Sequence, residues 1–388
     1  MTDTVPTATT TNMTRGFRWS EVPPDRGSGA TERARRAAPA PNLGPIADFT
    51  GTFSGNGLNT IFRPQNFAAS PTPLPNPAQG PDDNILELNL TAETLEFSDA
   101  IGSIPNRGFV QGDIFLNGVP YVQRIQDISD PAQPVDIHFE PGVWLAVPPT
   151  SAPLEGPTLA RMASIPHGTT IEAQGVSFVV PGGPFIQAVD ITPFPIGNPG
   201  NRIRFPSQTV TDDSTFRIPQ VLKPFVAAGT ITQEILDNPN LVIDRRAKAQ
   251  NITSTTVVFI TTNPDPVFGG GTDNIAFLRG DRDAVAPNAD AAQMTAIFWI
   301  ETVAEQITLP AAYTPGQAMI VDGGGAAGDP VPSFAVTSSS PIAAGTKVDV
   351  TYPQIQYTQT VLLNFNNLSW PHVSVAALVP HDPVPVSL

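Results

Sequence analysis

The sequence predicts an all-β protein: two packed antiparallel β-barrel or β-sandwich units with a short helical connector near residues 220–238. Three observations predict it. The 388-residue chain carries 44 prolines and 31 glycines. A proline inside a helix removes a hydrogen bond and clashes with the preceding turn, which excludes a helical bundle. Many short runs alternate apolar and polar residues with period two, the pattern of half-buried strands. Apolar residues make up 40% of the chain, too many for a disordered polymer.

Charge and composition narrow the function classes. The net charge is −15 and there is no cysteine. Binding to a phosphate backbone needs clustered Lys and Arg, so nucleic acid is not an expected partner. Disulfides, thiolate metal sites and cysteine nucleophiles are excluded. No apolar run approaches the roughly 18 residues that span a bilayer, and no Sec-type signal is visible near the N-terminus. A cytoplasmic location is the expectation.

Along the chain, residues 1–45 stand apart. They hold six arginines against four acids and lack hydrophobic periodicity. They read as a disordered tail, or as a basic arm that docks on an acidic neighbouring subunit and so supports a homo-oligomer. A β-barrel-like domain is expected over 46–218. Within it, Leu86, Leu88 and Leu90 alternate with Glu87, Asn89 and Thr91. Asn117-Gly118 lies between two alternating runs and predicts a hairpin. In the following run, Val135, Ile137 and Phe139 are assigned to one face, and Asp136, His138 and Glu140 to the other. Glu140-Pro141-Gly142 is then read as a turn. Two further short strands flank Pro166-His167-Gly168.

Residues 219–240 form the helical connector, with Gly229 as a helix stop and Thr230 with Gln233 as a capping box. A C-terminal β domain is expected over 241–388, with strands resuming at Leu241. Phe53–Arg63 resembles Phe268–Arg279, which suggests a duplicated unit. Pro141, Pro148, Pro166, Pro353, Pro371 and the run Pro71–Pro81 are placed between strands.

Few residues invite chemistry. The four histidines are His138, His167, His372 and His381, and none falls in a metal-ligand spacing, so no bare metal site is expected. If the face of His138 lines a cavity, it is an axial haem ligand or a carboxylate-oriented base. His167 in its turn is a ligand at a cavity mouth or a plain turn residue. His372, after Trp370-Pro371, is assigned to packing. No nucleophile elbow or P-loop occurs, and no catalytic residue is assigned.

Phe49-Thr50-Gly51 is similar to the glycine–aromatic opening of lipocalin-like barrels, and His138-Phe-Glu-Pro-Gly-Val-Trp144 resembles a strand of nitrobindin-type haem-binding barrels. Residues 46–175 thus resemble the calycin-like group. The resemblance implies a barrel cavity that binds haem or another hydrophobic small molecule, with His138, His167, Trp144, Arg124 and Arg161 as candidate contacts. No late strand of this half supplies a second histidine. Two alternatives stand beside ligand binding. One is a self-assembling structural protein that uses the N-terminal arm. The other is a haem-dependent peroxidase-like enzyme, pairing His138 or His167 with Arg124 or Arg161.

Overall fold

The computed structural model describes residues 42–64, 84–263, 270–275 and 288–388. Ten long strands carry the architecture: β1 (Gly51–Pro64), β2 (Asn84–Phe97), β3 (Ile114–Asp127), β4 (Val135–Val147), β5 (Thr158–Ser164), β6 (Thr169–Pro181), β7 (Ile252–Thr261), β8 (Asp290–Thr308), β9 (Lys347–Phe365) and β10 (Leu368–Pro380). Each pairs antiparallel with its neighbours in sequence, and β10 pairs with β1, which closes an up-and-down barrel. Closure leaves no long edge among these strands.

The expectation of two packed units is not confirmed. Six strands from residues 51–181 and four from residues 252–380 share one circumference, and Ala40–Leu388 is one compact unit. The helical segment does not sit between two β units. Helices α1 (Lys223–Ala228), α2 (Gln233–Asp237) and α3 (Leu241–Ala249) belong to a segment packed outside the barrel. Gly229 ends α1 in the left-handed conformation, as expected. The cap of α2 is Thr232, whose hydroxyl accepts from the Ile235 amide, and not Thr230. Residues from Leu241 form a helix instead of a strand, because Ile243 and Ala247 present one buried face at helical spacing.

Asn117-Gly118 makes no hairpin. β3 runs straight through it, pairing Asn117 with Ala146 and Gly118 with Leu145. A side chain at Gly118 would strike the Trp144 carbonyl, so the glycine serves close strand approach and not a turn. Glu140-Pro141-Gly142 likewise lies within β4, where Gly142 makes room for the Tyr121 ring. Pro141, Pro353 and Pro371 are inside strands, and each forgoes one ladder donor. Pro148 and Pro166 do lie between strands. The basic arm (to residue 41), Pro71–Pro81 and half of Phe268–Arg279 lie outside the described residues.

Two packed regions fix the barrel. At one end Phe49 stacks on Phe97 with centroids 4.6 Å apart and meets Trp144 edge-on at 5.5 Å. Elsewhere, Phe205 packs 5.1 Å from Trp370, and the Gln356 amide donates to the Ile243 carbonyl of α3. The aromatic plug fills one end of the lumen and leaves the other for a cavity.

Candidate ligand cavity

Inward positions alternate around the ring and place one set of side chains in the lumen. They enclose a cavity of about 380 Å³, within the range typical of small-molecule pockets. Its walls include Ile61, Ile125, Ile171, Met294, Val361 and Leu363. Its polar lining includes Asn59, Asn89, Gln123, Tyr357, Gln359 and three of the four histidines, His138, His167 and His372.

A β-bulge aims His138. Ile125 opposes His138 and Gln126 opposes Asp136, so Ile137 is the extra residue. The bulge corrects the expected faces: Asp136 turns outward to accept from the Gln126 amide at 2.8 Å, while Ile137 joins His138 at the cavity. His138 Nε2 lies 3.2 Å from Glu140 Oε2. Glu140 is fully buried, and Arg161 and the Tyr121 hydroxyl both donate to its other oxygen. Burial alone would raise its pKa, but the Arg161 charge and the hydrogen bond from His138 outweigh it and hold the pKa at about 2. An ionised carboxylate only accepts. His138 therefore donates from Nε2, and in its neutral form keeps its lone pair on Nδ1.

His372 is oriented by a longer chain. Asp127 can only accept, so the Asn89 amide turns its NH₂ to Asp127 at 3.0 Å. The Asn89 oxygen then accepts from Asn59 Nδ2 at 2.9 Å. The Asn59 oxygen is left to accept from His372 Nε2 at 2.7 Å and from Ser374 at 2.9 Å. Burial, with the nearby His138 and His167, lowers the His372 value to about 4, which keeps it neutral. His167 sits at the mouth, its ring edge-on to His138 with centroids 5.2 Å apart. Burial and the charge of His138 shift it below the usual histidine range.

Beneath the cavity, Arg161 is nearly fully buried and packs against the rings of Tyr121, Trp144 and Phe298. Its Nε donates to Tyr121 at 2.8 Å and its Nη1 to Gln359 at 2.7 Å. Glu93 forms a second buried group: Tyr357 donates to it at 2.6 Å and Gln123 at 3.3 Å, and burial raises its value. Of the residues picked out from sequence, His138 and His167 line the cavity, and Arg161 and Trp144 lie below it. Arg124 is on the outer surface, over the Phe139 ring at 4.7 Å. His372, assigned to packing, lines the cavity instead, as do Asn59, Gln123 and Gln359. Their signal was polar residues at inward strand positions, as in Tyr357-x-Gln359 and His372-x-Ser374.

Among the described residues no group of three or more His, Asp and Glu side chains is arranged to hold a bare metal ion, and no helix is long and apolar enough to cross a membrane. No family model and no curated protein matches the chain. Among solved structures, the crystal structure of Rv2717c from M. tuberculosis aligns over 88% of this chain and 99% of that chain, with 9% identity and a TM-score of 0.33, a similarity too low to carry an argument.

Proposed function

We propose that the barrel binds a hydrophobic small molecule in this cavity, with haem as the first candidate. The observation that carries the reading is His138: an imidazole held by a buried, ionised carboxylate and facing an apolar-walled space. A carboxylate behind a histidine is the usual support of a metal-bound imidazole, and imidazole is a standard axial donor to haem iron. The donor chemistry therefore fits. His138 or the neutral His372 is the side chain that would hold the iron, with Ile125, Ile171, Met294 and Leu363 against the macrocycle. Bound there, the iron would supply reversible coordination of small ligands. Glu140 fixes the His138 tautomer, and the apolar walls limit water.

The peroxidase-like alternative needs a free cation near the iron. Arg161 is committed to Glu140, Tyr121 and Gln359, and Arg124 is outside. The self-assembly alternative rests on the N-terminal arm, most of which lies outside the described residues. Titration of the protein with haem, followed by absorption, tests the reading. The expected result is a saturable one-to-one Soret band that shifts in His138→Ala or His372→Ala. Glu140→Gln is expected to weaken haem binding by about 10–100-fold. A spectrum unchanged in both histidine variants would overturn iron ligation at these positions.

A further inference from the structure

The floor of the cavity carries polar groups that the haem reading does not use. We infer that it recognises a neutral head group able both to donate and to accept hydrogen bonds, such as a carboxamide or lactam, with Gln359 as donor and Gln123 as acceptor. The inference rests on the ligand-binding reading above and names the ligand's chemical class.

Both amides are oriented from behind, Gln359 by Arg161 and Gln123 by Glu93 and Tyr357. A guanidinium only donates, so Gln359 must turn its oxygen to Arg161 Nη1, 2.7 Å away. Its NH₂ then has no hydrogen-bond partner among the described residues and lines the cavity. Gln123 turns its NH₂ the other way, toward Glu93 Oε2 at 3.3 Å and the Tyr357 oxygen at 3.1 Å. Tyr357 spends its own hydrogen on Glu93. Among the described residues the Gln123 oxygen is thus left without a partner, and Gln123 too belongs to the cavity lining. Gln123 reaches Tyr357, and Gln359 lies two residues further along the same inward face of β9. Both amides line the one cavity, where the inferred head group would meet them.

The floor also discriminates by charge. Arg161 is neutralised by Glu140 at a buried ion pair, so no free cation waits for a carboxylate. A carboxylate head would lose its hydration beside the Glu93 carboxyl and gain only the Gln359 donor. A purely apolar end would leave both amides desolvated and unpaired. Above the floor, Ile125, Ile171, Met294 and Val361 supply walls for an apolar body.

Calorimetric titration of the full-length protein with three probes of similar size tests this: octanamide, methyl heptyl ketone and octanoate. The wild type is expected to bind octanamide about tenfold more tightly than either of the others. Gln123→Met should reduce octanamide to the affinity of the ketone. Gln359→Glu, which keeps a partner for Arg161 but removes the donor, should weaken octanamide about tenfold. If all three probes bind the wild type within about twofold, the floor does not read the head group and the inference falls, while the cavity reading stands. If none of the three binds, the inference falls, and the haem titration decides the cavity reading separately. The wild-type series decides the matter even if a variant fails to fold.

Discussion

At the scale of single residues, the lumen is controlled by a few buried charges. Arg161 and Glu140 are both almost wholly removed from water. Breaking such a pair from one side leaves an uncompensated charge, which costs about 3–5 kcal/mol. Arg161→Met is therefore expected to lower unfolding free energy by about that amount in urea, and Glu140→Gln added to it should restore part of the loss. Titration behaviour follows from the same groups. Glu140 falls from 4.5 to about 2 and His372 from 6.5 to about 4. In both cases the unfolded chain binds more protons, so their stabilisation is complete above the unfolded values and is lost as pH falls through the folded ones. Glu301 runs the other way. Burial raises it to about 7, although Gln354 donates to it at 2.6 Å. Its contribution is complete below 4.5 and is lost as pH rises through 7. Glu301→Gln is expected to raise the melting temperature at pH values above 7 and to match the wild type below 4.5.

At the scale of elements, small local features decide which face a strand shows and how close its neighbour comes. The bulge at Ile137 turns Asp136 out and brings His138 in. At the closing seam, a Cβ on Gly57 would lie 1.9 Å from the Val375 carbonyl oxygen of β10. Gly57→Ala is expected to destabilise the fold by about 1–3 kcal/mol through overpacking. Gly112→Ala, where a Cβ meets nothing within 4 Å, should leave the melting temperature unchanged and serves as the control. Such features also explain what the sequence could and could not disclose. Period-two alternation announced β2 and the strands around Pro166-His167-Gly168, because one face of each is packed and the other is wetter. Asn117-Gly118 misled because a glycine needed for close strand approach looks the same in sequence as one needed for a turn. A one-residue bulge has no signature in an alternating run, so the faces around Ile137 were misassigned.

At the scale of the whole molecule, the ten strands form one barrel whose first and last strands are joined. Scanning calorimetry is accordingly expected to show one transition for the barrel, with matching calorimetric and van't Hoff enthalpies. Two resolved transitions would instead indicate separately folding halves. The all-β class was legible in composition and alternation. The single closure was not, because pairing of β1 with β10 joins residues more than 300 positions apart in register and leaves no local trace. His372 was hidden for the same reason: it reaches the cavity only because the last strand closes the ring beside the first. The central claim, that this one barrel encloses a ligand site, is tested most directly by native mass spectrometry of the intact protein mixed with haem, beside Val361→Trp, which fills the cavity. One bound haem per wild-type chain and none on the folded variant is the expected result. Equal binding to both, or to neither, would contradict it.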